Sequence, residues 1–247
     1  MKNLITIYRW ITALTITLIT GSIALVLVII SFGKLRNLNV TYIIKPSSRF
    51  ILWVIGFKGY YPSLDKFPKH QVLYTFNHNA EQDIYLLTAL GLQNTRFLLS
   101  EKTWIYIPLV ISALATGTFY IPQKKHPGRR LKFFKKTTKF LKETNYSIAA
   151  SSEGVHNHFH GIAPFNRGIY HMAIESNIPI VPLFINVPEE SNMTDSKYAK
   201  NGTLGIELLE EISTKDWDIN NLDKHINEVR NVFVKRFNEL NPNSKTT

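Results

Sequence analysis

The sequence predicts an α/β domain with a mixed, largely parallel sheet flanked by helices, preceded by an N-terminal membrane helix or helical hairpin. From residue 71 onwards, short β-rich runs alternate with longer runs of helical periodicity, a pattern typical of such sheets. Before that point, long apolar segments predominate. We therefore divide the chain into an N-terminal membrane-anchoring segment, residues 1–62, and an α/β domain, residues 63–247.

The N-terminal segment contains an uncharged apolar run, Trp10 to Gly33, which covers 24 positions. As a helix, a run of this length crosses a hydrocarbon core of about 30 Å. The run is longer than the apolar part of a signal peptide, and no small-x-small cleavage site follows it. Its hydroxyl residues, and a second apolar and aromatic stretch at Phe50 to Tyr61, are also compatible with a helical hairpin in one leaflet. The sequence is therefore compatible both with a membrane-spanning helix and with a hairpin in one leaflet.

The charge of the chain predicts an anionic partner. Lys and Arg number 29 against 18 Asp and Glu, a net charge of +11, which favours an anionic membrane or a nucleic acid. The membrane segment and the lack of a nucleic-acid-binding signature favour membrane lipids and no nucleic acid. Basic residues are more numerous after the apolar run than before it, which predicts that the α/β domain faces the cytoplasm: Lys34, Arg36, Lys45 and Arg49 against Lys2 and Arg9.

The α/β domain is predicted element by element from its periodicity. Strands are expected at 71–76, 95–99, 118–122, 146–150 and 178–185, with a possible last strand at 204–208. Helices are expected at 81–92, 103–115, 128–144 and 167–177. A terminal helix has an apolar stripe formed by Leu222, Ile226, Val229, Phe233, Phe237 and Leu240, which we interpret as core packing. The absence of cysteine excludes disulfides, thiolate metal sites and a cysteine nucleophile.

A candidate catalytic pair lies where the first strand of this domain gives way to a helix. The segment reads Asn77-His78-Asn79-Ala80-Glu81-Gln82-Asp83. With His78 on the turn and Asp83 in the first helical turns, the carboxylate can orient one imidazole nitrogen and leave the other as a general base. The same residues also suit a purely structural role, in which His78 packs at a strand end and Asp83 favours the helix N-terminus.

Four segments together resemble a known family. The segment from Asn77 to Asp83 matches an N-H-x-x-x-x-D block, Glu153-Gly154 the centre of F-P-E-G-T-R, Phe165-Asn166-Arg167-Gly168 an F-K-x-G block, and Ile178 to Leu183 a V-P-[IV]-[VI]-P block. In order and spacing, residues 71–240 resemble the glycerolipid acyltransferases, the PlsC-like 1-acyl-sn-glycerol-3-phosphate acyltransferases and their relatives.

The resemblance implies a glycerolipid acyltransferase fold, with residues 63–247 as the acyltransferase domain, and direct O-acyl transfer in phospholipid biosynthesis. By carry-over, His78 is the general base, Asp83 its orienting partner, and Glu153 with Gly154 helps to hold the acceptor. The acyl donor is expected to be acyl-CoA or acyl-ACP, a co-substrate, with no further cofactor and no metal. The acceptor is expected to be a lysophospholipid, first of all 1-acyl-sn-glycerol-3-phosphate.

Two blocks depart from the family pattern. Gln123 stands where the family has an arginine that contacts the acceptor phosphate, and the third block reads Ser151-Ser152-Glu153-Gly154-Val155-His156-Asn157. We expect another cation to compensate, with Arg129 and Arg167 as first candidates and Lys102 or His156 as further ones. A different lysolipid acceptor and an inactive membrane-anchored scaffold of the same fold are the alternatives.

A histidine tract and a basic run each allow a functional and a structural interpretation. His156, His158 and His160 alternate beside Glu153, but a solvated loop is favoured over a metal site because no second ligand cluster accompanies them. Residues 124–142 hold nine basic side chains and no acidic one. This run is either a solvated helix face or a surface attracted to anionic headgroups or carrier phosphates.

Overall fold

The computed structural model of the chain describes residues 2–154, 161–193 and 199–242. Its α-helices are α1 (Lys2–Ile30), α2 (Arg36–Asn39), α3 (Lys45–Val54), α4 (Asp83–Thr88), α5 (Ile107–Thr116), α6 (Pro127–Glu143), α7 (Arg167–Ser176) and α8 (Leu222–Leu240). Its strands are β1 (Phe57–Tyr60), β2 (Leu73–Phe76), β3 (Thr95–Ser100), β4 (Phe119–Ile121), β5 (Ser147–Ser151), β6 (Ile180–Asn186) and β7 (Gly202–Leu208).

Within the described residues, the strands form one sheet in the order β1-β7-β6-β2-β5-β3-β4. Every neighbouring pair is parallel except β6 and β7, which are antiparallel. The predicted mixed, largely parallel sheet is therefore confirmed. Since β2, β5, β3 and β4 are consecutive and parallel, the loops that follow them lie along one edge of the sheet.

The side chains of the central strands alternate between two hydrophobic layers. On β2, Tyr74 and Phe76 pack towards α3 and α4, whereas Leu73 packs on the opposite face with residues of α6, α7 and α8. All four residues of β2 are buried, as expected for a parallel strand covered on both faces. The apolar stripe predicted for the terminal helix is buried at Leu222, Ile226, Val229 and Phe233.

The N-terminal helices form a hairpin that packs on the α/β domain. Helix α1 contacts α5 and α3, and its buried positions recur about once per turn: Arg9, Ala13, Thr17, Gly21, Ala24 and Val28. The close approach to α5 depends on Gly21, where an added Cβ would lie 3.2 Å from Ser112. The helical segment from Leu4 to Ile30 is long and apolar enough to cross a membrane, and 28% of its most apolar 18 residues are buried in the protein.

Strand β1 was not predicted from the sequence. The segment Phe57–Tyr60, part of the stretch predicted to be aromatic and interfacial, forms strand β1 and pairs with β7 at the edge of the sheet. Only Phe57 of this strand is buried, so its pattern lacks the alternation that marks a strand. Strand β1 lies on the N-terminal side of residue 62, and the domain boundary proposed there remains a prediction.

Helix α4 is shorter than its sequence pattern predicts. It covers Asp83–Thr88 rather than 81–92, and the chain then turns through Gly91, whose φ of 70° favours glycine. The predicted helix at 103–115 is divided into a 3₁₀ turn, Glu101–Ile105, and α5. The tract with His156, His158 and His160 lies outside the described residues.

Candidate active site

His78 and Asp83 contact each other across the loop between β2 and α4. Nδ1 of His78 lies 3.0 Å from Oδ2 of Asp83. The same oxygen accepts hydrogen bonds from the backbone N–H groups of Asn79 and Ala80, both at 3.1 Å. Asp83 is fully buried, whereas 24% of the His78 side chain is exposed. The carboxylate is therefore rigidly held, and the imidazole it orients remains accessible.

Two buried amide side chains hold this loop in place. The Asn77 side chain donates to the carbonyl of Ile185 and accepts from its N–H, each at 2.8 Å, which joins the end of β2 to β6. Gln82 donates to the carbonyl of Ser191 at 2.7 Å and accepts from the N–H of Met193 at 3.2 Å. The sequence gives no local signal for these roles of Asn77 and Gln82, because their partners are more than 100 positions away.

Glu153 reaches the His78 loop from the end of the neighbouring strand β5. Its Oε1 accepts from the backbone N–H of His78 at 3.4 Å. Burial raises the pKa of Glu153 to about 8, an effect that the N–H groups of His78 and Ala163 partly oppose and that Asp83 reinforces. The other carboxyl oxygen, Oε2, is buried and has no hydrogen-bond partner among the described residues. A protonated Glu153 could thus donate or accept one further hydrogen bond.

The turn after Glu153 requires glycine. Gly154 has a φ of 72°, and an added Cβ would lie 2.6 Å from the amide nitrogen of Asn166. That amide donates to the carbonyls of Ser152 and Glu153, while the Ser152 hydroxyl lies 2.9 Å from the Tyr170 hydroxyl. The two blocks Glu153-Gly154 and Phe165-Asn166-Arg167-Gly168 therefore meet through backbone-directed hydrogen bonds.

His78 lines a cavity of about 620 Å³ that also contains Gly154 and Asn166 in its wall. One part of the wall is mainly apolar and comes from the N-terminal hairpin, α4 and α5, with Ile44, Ile51, Ile84, Leu87, Leu109 and Ala113. Another part is basic and comes from the loops after β3 and β4 and from α6, with Lys102, Lys124, Lys125 and Arg130. Such a volume is typical of small-molecule sites.

Comparison with known proteins assigns this arrangement to a family. The model of a family described as Acyltransferase matches residues 60–186, slightly more than half of the chain. The chain belongs to this family. The matched range includes the His78–Asp83 pair, Glu153 and the basic wall of the cavity. The chain is thus an O-acyltransferase by family, as the resemblance of its motifs implied.

Three curated relatives of this acyltransferase are named 1-acyl-sn-glycerol-3-phosphate acyltransferase. The relative from Cocos nucifera is 20% identical over 90% of the chain and 71% of its own length. The relative from Haemophilus influenzae is 23% identical over 69% of the chain and 70% of its own length. The relative from Limnanthes douglasii is 22% identical over 68% of the chain, which spans only 59% of that protein.

A solved structure confirms the fold. The crystal structure of the 1-acyl-sn-glycerophosphate (LPA) acyltransferase PlsC from Thermotoga maritima superposes with a TM-score of 0.77. The match covers 99% of this chain and 97% of that one at 15% sequence identity. The likeness therefore includes the N-terminal hairpin as well as the sheet and its flanking helices.

Three of the cations predicted for the acceptor, Lys102, Arg129 and Arg167, lie within the described residues, and one of these three is in the cavity wall. Lys102 lines it. Arg129 and Arg167 do not line it. The Arg129 guanidinium pairs with Glu101 at 2.7 Å, and Arg167 lies 3.4 Å from Asp223 in an exposed pair. Arg130, which was not among the predicted acceptor-binding residues, lines the cavity one position further along α6.

The predicted absence of a metal stays a prediction for this acyltransferase. Among the residues that the structure describes, no group of three or more His, Cys, Asp or Glu side chains is arranged to hold a metal ion. His156, like the rest of the alternating histidine tract, lies outside those residues, so neither the metal reading nor its suggested contact with phosphate is tested.

Proposed function

We propose that this acyltransferase is membrane-bound and transfers a fatty acyl group from acyl-CoA or acyl-ACP to the hydroxyl of 1-acyl-sn-glycerol-3-phosphate, in phospholipid biosynthesis. The observation that carries the proposal is the cavity wall, in which His78 is combined with an apolar part and a basic part. An acyl chain suits the first part and an anionic head group suits the second. The name shared by the curated relatives supports this acceptor.

In the proposed reaction, His78 acts as a general base. With Nδ1 engaged by Asp83, Nε2 is the nitrogen that takes the proton from the acceptor hydroxyl as its oxygen attacks the thioester carbonyl carbon. The tetrahedral intermediate then collapses, the C–S bond breaks, and the proton on His78 passes to the leaving thiolate. An ester and a free thiol result. Asp83 stabilises the imidazolium in between, and no acyl-enzyme is needed.

We propose that Glu153 holds the acceptor beside His78. Its buried Oε2 lacks a protein partner among the described residues, and an unsatisfied buried polar atom costs about 1–3 kcal/mol. A hydroxyl of the glycerol backbone would satisfy it. Because the pKa of Glu153 is raised to about 8 by burial, the neutral carboxyl group is favoured at neutral pH, and it binds a neutral hydroxyl without placing an extra negative charge near the acceptor phosphate.

A different lysolipid is the second candidate acceptor. Gln123, at the position where the family has a phosphate-binding arginine, lines the cavity and offers no charge. A phosphodiester or uncharged head group would need less positive charge than a phosphomonoester. The basic residues that share the wall with Gln123 favour the phosphomonoester.

Membrane attachment is proposed through the hairpin. The outer face of α1 is apolar along its length, and Phe32, at the tip of the hairpin, is 94% exposed. A second exposed apolar ridge runs from Trp104 to Ile107, directly after the cavity-lining residues Lys102 and Thr103. Because α1 is packed along the α/β domain, insertion of these surfaces into one leaflet explains the exposure better than an isolated span. The excess of basic residues after α1 supports a cytoplasmic location of the domain.

A direct assay tests the function. Purified protein in mixed micelles is incubated with a radiolabelled acyl thioester, as CoA and as acyl carrier protein conjugate, together with a panel of lysolipids. The proposal expects 1-acyl-sn-glycerol-3-phosphate to give the highest kcat/KM. A higher kcat/KM for another lysolipid would assign the alternative acceptor. No transfer to any acceptor from either donor would favour the inactive scaffold.

A further inference from the structure

The position of Gln123 leaves the acceptor phosphate without the arginine that the family pattern provides, so another cation is required. The cavity wall offers four: Lys102, Lys124, Lys125 and Arg130. Three of them are ammonium groups on exposed side chains, and only Arg130 is partly buried. The positive charge at this wall therefore comes from three exposed lysines and one partly buried arginine.

The topology puts these cations on the same sheet edge as His78. His78 follows β2, Glu153 follows β5, Lys102 follows β3 and Gln123 follows β4, and these four strands are adjacent and parallel. Since neighbouring strands lie about 4.8 Å apart, the ends of β2 and β4 are separated by about 14 Å. Side chains that extend into this interval from both ends leave room for a glycerol phosphate between them.

Arg130 is positioned by two contacts that leave much of its guanidinium available. Its Nη1 donates to the carbonyl of Pro122 at 2.7 Å, and its Cζ lies 5.5 Å from the ring centroid of Phe134, one helical turn later. Phe134 in turn packs against Gly168 of α7, where an added Cβ would lie 2.4 Å from the ring. Among the described residues no carboxylate pairs with Arg130. Burial alone lowers its pKa, as expected for a cation without a counter-ion.

The neighbouring arginine differs in each of these respects. Arg129 is paired at 2.7 Å with Glu101, a carboxylate that also accepts from the N–H of Gln123 at 3.1 Å. Its charge is thus neutralised, and it does not line the cavity. A cation already held by a carboxylate would have to give up that ion pair in order to bind a phosphate.

We propose that Arg130, assisted by Lys102, Lys124 and Lys125, binds the phosphate of the acceptor and replaces the arginine absent at position 123. This inference rests on the proposed function, because it assigns the head-group site of that same reaction. The acyl donor also carries phosphate groups, so the same chemistry could serve the donor. Separate Michaelis constants for acceptor and donor distinguish the two sources.

The experiment compares Arg130→Met with wild type, with Lys132→Met as the matched control, since Lys132 is an exposed cation on the same helix that does not line the cavity. We expect Arg130→Met to raise the KM for 1-acyl-sn-glycerol-3-phosphate at least about tenfold, equivalent to about 1.4 kcal/mol. The KM for the acyl donor and the activity with uncharged 1-acyl-sn-glycerol should change less than about twofold, as should all parameters of Lys132→Met.

Two further variants strengthen the test. Gln123→Arg in the Arg130→Met background returns an arginine to the position where the family has one, and should restore the acceptor KM. The double variant Lys124→Met, Lys125→Met changes only exposed side chains, so we expect it to fold as wild type does. It should raise the acceptor KM several-fold. The inference is overturned if Arg130→Met leaves the acceptor KM unchanged, if only the donor KM rises, or if Arg129→Met has the larger effect.

A binding measurement separates this inference from the proposed function. Calorimetry with glycerol 3-phosphate needs no turnover, and we expect binding by wild type that is lost in Arg130→Met and retained in Lys132→Met. Arg130-dependent binding by a protein that transfers no acyl group would uphold the phosphate site and refute the proposed function. Active wild-type protein with an Arg130→Met variant that binds glycerol 3-phosphate equally well would refute the phosphate site alone.

Discussion

Oδ2 of Asp83 is a common acceptor for the His78 imidazole and for two backbone N–H groups of the loop that carries it. The orientation of the base and the conformation of its loop therefore depend on one buried oxygen atom. A substitution that removes this atom alters both, whereas one that keeps an oxygen and removes the charge alters mainly the imidazole. Asp83→Asn, which keeps an oxygen and removes the charge, therefore tests the role of the carboxylate with the least change to the loop.

We predict that His78→Ala abolishes acyl transfer and that Asp83→Asn lowers kcat/KM by about two to four orders of magnitude, because the amide no longer stabilises the imidazolium. The measurement is transfer of labelled acyl groups in micelles, with the thermal unfolding midpoint recorded for each variant. His70→Ala serves as the control, since His70 is exposed and pairs with Glu211 outside the cavity. Near-normal turnover of folded His78→Ala would refute the general-base role.

The raised pKa of Glu153 predicts a pH-dependent stability. An acid whose folded pKa is about 8 and whose ordinary value is 4.5 holds more protons in the folded state across that window. Its contribution is fully present below pH 4.5 and is lost as the pH rises towards 8. Glu153→Gln has no titrating proton at this position. The free energy of unfolding of this variant, relative to wild type, should therefore rise as the pH is raised from 5 to about 8.

The thermal unfolding midpoints of wild type and Glu153→Gln in detergent, measured at intervals from pH 5 to about 8, check this prediction. Glu175→Gln is the control, because Glu175 lies on α7 outside the cavity wall. A constant difference between wild type and Glu153→Gln over the whole range would show that Glu153 titrates normally.

The contact between His78 and Asp83 was predictable from the sequence because it is local, whereas their catalytic role follows from the motif resemblance and stays a prediction. Five positions separate the two residues, and the strand and helix on either side are strongly patterned. The class of the sheet was predictable from the hydrophobic pattern, since short buried strands such as β5 contrast with the longer runs of helical periodicity. Strand β1 was not, because an edge strand with one buried residue has no periodicity of its own.

The choice between Arg129 and Arg130 could not be made from the sequence. Both follow Gln123 closely on a basic helix, and adjacent helical positions point in directions about 100° apart. Which of them faces the cavity depends on how α6 packs against α7 and on the position of Glu101, both of which are tertiary properties. A family pattern locates the missing charge but not the residue that replaces it.

Membrane attachment is predicted to depend on the outer face of α1. Ile19 and Ile23 are 56% and 51% exposed, so replacing both by Glu removes little packing within the protein. A carboxylate in hydrocarbon costs roughly 2.5–3.5 kcal/mol or more, so the double variant should bind vesicles weakly and in a salt-sensitive manner through the remaining basic surface. Ile219→Glu, at an exposed position on a 3₁₀ turn before α8, should bind as wild type does.

Flotation with vesicles that contain anionic lipid, at low and high salt, measures this effect. Undiminished, salt-resistant binding of the Ile19→Glu, Ile23→Glu variant would place the attachment surface elsewhere on the protein.

Gly168 gives a final prediction, because its missing side chain makes room for the ring that supports Arg130. A Cβ at this position would lie 2.4 Å from Phe134, closer than side chains tolerate, so the ring must move in Gly168→Ala. The substitution also improves helix propensity, by less than the about 1 kcal/mol of a helix interior because Gly168 lies in the first turn of α7, and this offsets part of the strain. We expect a nearly unchanged unfolding midpoint together with a several-fold higher KM for 1-acyl-sn-glycerol-3-phosphate.

A double-mutant cycle with Phe134→Ala isolates the cause. Removing the ring eliminates the clash, so Gly168→Ala should have almost no further effect on the acceptor KM in the Phe134→Ala background. The two substitutions would then be strongly non-additive, as expected when both act through the position of the Arg130 guanidinium. Independent, additive effects on KM would mean that Gly168 influences the site by another route, such as the α7 N-terminus beside Asn166.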